Sequence, residues 1–242
     1  MPPPLRAALR SSFLRKAGIV FLIQVIGAGL GYGMQVLLAR WMGPQGYGAY
    51  VYAISWAGLL AMIAALGYPT AALRFVPDYR SSSSIRLLSG FVQQSRRLVA
   101  VASVAVALVG SIGLYAFAPS DFSRFTLLTG LWLTPVLALL LLETEILRGH
   151  QRMVLAYAPT HIIRRLVIIG GAAILVVTPI SVDPVPVLIL SGLGAGLSLA
   201  IQRYGIQTNQ LIQESTPQYL TRAWLSVALP LVMGRRLLVL IN

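Results

Sequence analysis

Six apolar runs of membrane-crossing length follow one another along this chain, at 17–38, 47–67, 98–118, 125–147, 160–178 and 185–202. A helix needs about 20 such residues to cross a bilayer. A seventh run, 223–242, ends with the chain. None of these runs carries the polar face of a soluble amphipathic helix, so their surroundings are apolar on all sides. Only 10% of the 242 residues are charged, against about 25% in a soluble domain, and the mean hydropathy is +0.79. The expected fold class is an all-α integral membrane protein. With no cysteine, the chain has neither a disulfide framework nor a thiolate site.

The N-terminal basic segment, with Arg6, Arg10, Arg15 and Lys16, is like the first part of a signal peptide. The run behind it exceeds the 7–15 apolar residues of such a peptide, so it reads as a retained span. The net charge of +13 is unevenly placed. Arg74, Arg80, Arg86, Arg96 and Arg97 lie between spans 2 and 3. Arg148, Arg152, Arg164 and Arg165 lie between spans 4 and 5 or in the first turns of span 5. Arg203 and Arg222 lie between spans 6 and 7. With the N-terminal four, fifteen basic residues fall on one side, and Arg40 and Arg124 alone on the other. That asymmetry places the N-terminus in the cytoplasm of a multi-pass inner-membrane protein. It also favours contact with anionic membrane lipids. No basic patch interleaves with aromatics on a soluble module, so no nucleic-acid partner is expected.

The stretch LLARWMGPQGYGAYVYAISW joins spans 1 and 2. It reads as a tight external turn, with Pro44 presetting φ and Gly43, Gly46 and Gly48 allowing unusual backbone angles. On the cytoplasmic side, Pro77 and the serines at 81–84 read as helix-breaking. Ser84 is placed to cap the next helix. There Ile85, Leu88 and Val92 repeat at helical spacing, as a short interfacial helix or as an extension of span 3.

Within the spans, Gly27, Gly29, Gly31 and Gly33 form two small-xxx-small pairs suited to close helix packing or to a hinge. Span 6 repeats the theme in SGLGAG. Polar residues at membrane depth point to function more directly. Gln24 and Gln35 are such residues in span 1. Glu143, Glu145 and Arg148 close span 4, and Arg164 and Arg165 open span 5; this cluster reads as an ion pair with snorkelling side chains at the inner surface. His150 and His161 have no metal-ligand spacing and read as interfacial. No nucleophile constellation, phosphate loop or dinucleotide fingerprint is present, and GLGAG lacks the strand–turn–helix setting of such a loop. The sequence calls for no cofactor, metal or catalytic residue.

Leu38-Ala39-Arg40, Gly43-Pro44, Gly46-Tyr47-Gly48, Leu66-Gly67-Tyr68-Pro69 and Arg74 together resemble the first hairpin of the polysaccharide-biosynthesis flippases. These are the O-antigen (Wzx-type) branch of the multidrug/oligosaccharidyl-lipid/polysaccharide exporter superfamily. The likeness resumes at YLTRAWLSVALPLVMGRRLLVLIN. The resemblance implies a basic N-terminus (1–16), the N-terminal six-helix bundle of a two-bundle transporter (17–202), a cytoplasmic linker (203–222) and a truncated seventh helix (223–242). The chain then reads as an N-terminal fragment. The implied activity is translocation of an undecaprenyl-pyrophosphate-linked oligosaccharide for surface polysaccharide assembly. Polysaccharide polymerase and glycosyltransferases are implied as partners. A multidrug or lipid-precursor exporter and an inactive membrane scaffold are the alternatives. A membrane enzyme is disfavoured, because Glu143 and Glu145 point to different helix faces. The binding residues expected are Gln24, Gln35 and above all Arg235 and Arg236. That arginine pair lies about 20 Å into the seventh span, where a lone charge is expensive and an anionic pyrophosphate would compensate it.

Overall fold

The computed structural model describes residues 3–82, 84–117, 122–178 and 182–207, with side chains placed for 17–82, 84–116, 124–178 and 182–206. Every regular element among them is helical. They are α1 (Pro3–Ala64), α2 (Tyr68–Ser81), α3 (Ile85–Phe117), α4 (Phe122–Gly149), α5 (Met153–Ala158), a π-helical turn (Pro159–Ile163), α6 (Arg164–Val177) and α7 (Pro184–Gln207). Five helical stretches are long and apolar enough to cross a membrane.

The first of these, Ala17–Ala64, has 48 residues, enough for about 72 Å of helix and so for two crossings of a ~30 Å core. Gly43 divides it, with φ 71° and ψ 174°. Pro44 then occupies the first turn of the second arm, where its missing N–H removes no helical bond. The sequence suggested a turn extending through Gly48. In fact only Gly43 leaves the helical backbone. The chain doubles back here. Ile19 and Val20 of the first arm share one cavity with residues from Gln151 to Ile163, and Ala61 and Met62 of the second arm share another with Tyr157, His161 and Arg164.

Side-chain pairings show the alternating course of the remaining helices. Arg96 meets Glu143 near one end of the α3–α4 pair, and Tyr115 meets Arg124 near the other, so these helices are antiparallel. Leu155 packs on Gly205, Arg164 on Gly194 and Leu190 on Gly171, so α7 runs antiparallel to the rod formed by α5, the π turn and α6. α4 is central, touching α1, α2, α3, α5 and α7. Large apolar side chains such as Phe21, Leu22, Val109, Ile112 and Ile174 face outward, as expected where the solvent is lipid.

Two local expectations are corrected. Pro77 does not break the chain's helical course but lies inside α2. The cost of an interior proline is offset by packing: Tyr68, Ala71, Ala72 and Val76 form one buried stripe, and Val76 closes against Gly149 of α4. The serines do end α2, with the Ser81 and Ser82 hydroxyls donating to Asp78 O at 2.8 and 3.0 Å. Ser84 does not cap α3 with its side chain; its hydroxyl lies 3.4 Å from Ser82 O. α3 is a single helix from Ile85, with Leu88, Phe91 and Val92 buried, which is the extension rather than a separate interfacial helix. α7 continues past 202 to Gln207.

Candidate functional site: a cavity lined by Arg164

The rod enters the bundle at Met153, seven residues before the start read from the sequence. Pro159 and the polar residues beside it lower the local hydropathy and hide its first two turns. The consequence is large. Arg165 is the middle residue of the apolar stretch Met153–Val177, about 18 Å from either end. Arg164 and Arg165 therefore lie midway along this stretch and not in its first turns, and among the described residues they join no ion pair with Glu143 or Glu145, which corrects the sequence reading of one ion-paired cluster. Without them the charge asymmetry is thirteen against two, and its direction is unchanged.

The two arginines point to different surroundings. Arg164 lines a cavity of about 500 Å³ between the second arm of α1, α4 and the rod. One part of its wall is apolar, with Ile54, Met62, Leu137 and Leu141. The other part is polar, with Thr144, Glu145, Tyr157, Thr160 and His161. Arg165 lies on the first arm of α1. A Cβ added at Gly31 would sit 2.7 Å from its guanidinium carbon, and one added at Gly27 would sit 2.8 Å from His161 Cβ. The Gly27/Gly31 pair is thus a seat for two polar side chains one turn apart. Gly29 and Gly33 meet nothing within 4 Å. Gln24 and Gln35 are exposed on the first arm and do not line the cavity. Arg235 and Arg236 lie outside the described residues.

Among the described residues neither Arg164 nor Arg165 forms an ion pair, whereas Arg96, Arg148 and Arg203 do. Arg164 Nε and Arg165 Nη1 are buried with no hydrogen-bond partner. A guanidinium with an unspent donor is chemically suited to an anion, because Arg presents a planar fork that matches phosphate oxygens. Sequence alone offers one signal for the pair, adjacent arginines in an otherwise apolar stretch. That signal misleads when the helix start is placed too late.

The bundle's basic end is built differently. Glu143 is fully buried and accepts from Arg96 Nε and Nη2 at 2.6 and 2.8 Å, with Arg203 Nε 3.3 Å away. Arg80 donates to His150 O at 2.8 Å, and Arg152 donates to Gly205 O at 2.5 Å. These bonds gather the arginine-rich connections at one end of the bundle.

The profile of the family described as polysaccharide biosynthesis protein matches residues 13–242. The chain belongs to this family. No curated protein and no solved structure matches it significantly. As a polysaccharide biosynthesis protein with long apolar helices, it is a multi-pass membrane protein with a role in polysaccharide biosynthesis and transport.

Proposed function

We propose that this protein helps move an undecaprenyl-pyrophosphate-linked oligosaccharide across the inner membrane, from the cytoplasmic to the outer leaflet, as a transporter and not as an enzyme. The observation that carries this reading is the Arg164–Arg165 pair, held midway along the rod with donors unspent. A pyrophosphate cannot enter hydrocarbon uncompensated, because burying its charge is very costly. A partly polar cavity with the Arg164 guanidinium in its wall lowers that cost, since the Glu145 carboxylate in the same wall is paired with Arg148, while the prenyl tail stays in lipid. Arg164 would take the headgroup from the cavity side and Arg165 from the side of the first arm. The orientation, with the N-terminus in the cytoplasm, rests on the arginine asymmetry. Polysaccharide polymerase and glycosyltransferases are the proposed neighbours.

The test is flipping of a fluorescent lipid-linked sugar in vesicles containing the full-length protein. Arg164→Ala with Arg165→Ala should abolish protein-dependent flipping, and the double lysine variant should recover part of it. Flipping at the wild-type rate by the double alanine protein would end the reading.

A further inference from the structure

The arginine pair comes directly after the π-helical turn Pro159–Ile163. The backbone N–H of Arg164 bonds to Pro159 O, the five-residue bond of a π turn. Pro159 has no N–H of its own, so the carbonyl of Leu155 loses its usual helical donor at this point. The turn is held from outside by two residues of α7 one turn apart. Ser198 Oγ lies 2.9 Å from Pro159 O, the same carbonyl that Arg164 bonds, and 2.8 Å from Gly194 O. Gln202 is fully buried, and its Nε2 lies 3.0 Å from Ala156 O and 3.1 Å from Thr144 Oγ1, which ties the turn to α4 as well.

A π turn carries one residue more than the α-helix it interrupts. With 3.6 residues per turn, that residue rotates everything downstream by about 100° relative to everything upstream. We propose that Ser198 and Gln202 are positioning residues: by holding the π turn they set which way Arg164 and Arg165 face, one toward the cavity and the other onto Gly31. Relaxation of the turn to α geometry would swing both guanidinium groups off these positions. The inference builds on the anion-site reading above, but the rotation can be measured apart from it.

The chain has no native cysteine, so spin labels can be placed at Val154→Cys and Leu166→Cys, two exposed positions on either side of the turn. The labelled full-length protein in nanodiscs is compared with Ser198→Ala, Gln202→Met, the two combined, and Ser198→Thr, which keeps the hydroxyl. The combined variant should shift the label-to-label distance by several ångströms and weaken binding of inorganic pyrophosphate about tenfold, with Ser198→Thr like wild type. The single variants keep the test open should the combined one fail to fold. An unchanged distance in every variant that folds would overturn the proposal, as would a shifted distance with unaltered pyrophosphate binding. Should Arg164→Ala with Arg165→Ala bind pyrophosphate as well as wild type, the anion site itself would be refuted. The distance measurement would still report whether α7 sets the rotation.

Discussion

Arg96 of α3 grips Glu143 of α4 through two parallel hydrogen bonds, and the carboxylate it grips is fully buried. With Arg203 3.3 Å away on α7, one carboxylate ties three helices together. Removing it leaves two guanidinium groups facing each other without compensation. Glu143→Ala should destabilise the bundle by about 3 kcal/mol, the usual penalty for breaking a buried pair from one side. Thermal unfolding in nanodiscs measures this. Adding Arg96→Met and Arg203→Met should restore most of the loss; no recovery would mean that Glu143 matters for packing alone.

The Gly27/Gly31 seat separates two glycines that look alike in sequence. Gly31→Ala places a methyl group where the Arg165 guanidinium lies, and Gly29→Ala meets nothing within 4 Å. Arg165 can move, so Gly31→Ala should fold normally yet lower flipping about tenfold, equivalent to about 1.4 kcal/mol. Gly29→Ala should leave flipping unchanged. Equal effects of both substitutions in the vesicle assay would contradict this placement of Arg165.

At the hairpin, the positive φ of Gly43 is a conformation that a Cβ opposes. Gly43→Ala should cost about 1–3 kcal/mol in thermal stability, since φ 71° with ψ 174° is a region that essentially only glycine adopts. Gly48→Ala, in a helical position with open space around it, should be neutral or stabilising by up to about 1 kcal/mol. The reverse order of stability would show that the chain does not turn at Gly43.

His150 lies in the connection between α4 and α5. Burial pushes its pKa below the usual value, the bond to Ile146 O opposes this, and Arg80, Arg152 and Arg96 lower it further. The folded protein therefore binds a proton here less readily than the unfolded chain. Stability from this group is present above the unfolded pKa of about 6.5 and is lost as pH falls from there through the lower folded value. The thermal midpoint should fall between pH 7.5 and pH 5, and His150→Gln should flatten that part of the profile. An identical slope in the variant would assign the pH response to another group.

Orientation can be read with single cysteines, since the native chain has none. Ser82 lies at the arginine-rich end and Gln45 beside the hairpin at the opposite end, and both are exposed. In intact cells Gln45→Cys should react with an impermeant maleimide, and Ser82→Cys only after permeabilisation. The opposite pattern would invert the topology.

Much of the fold was legible because its causes are one-dimensional. Apolar runs of bilayer length dictate helices, since lipid offers the backbone no other hydrogen-bond partner. The placement of arginines along the chain dictates which connections share a side. The turn chemistry of Gly43-Pro44 was also visible, although its extent was not, because neighbouring glycines can be helical when packing holds them so. Tertiary structure decided the rest. Pro77 stays in a helix because Tyr68, Ala71, Ala72 and Val76 bury one face of it against α4. Glu143 pairs with Arg96 and Arg203, 47 and 60 residues away, and not with nearby Arg148, which binds Glu145 instead. Arg164 and Arg165 sit midway along the rod because α7 side chains carry it helically through Pro159, where local hydropathy suggested a boundary. Charge and apolarity are properties of each residue and can be counted along a sequence. The depth at which a charge rests, and the partner it meets there, depend on helices that only folding brings together.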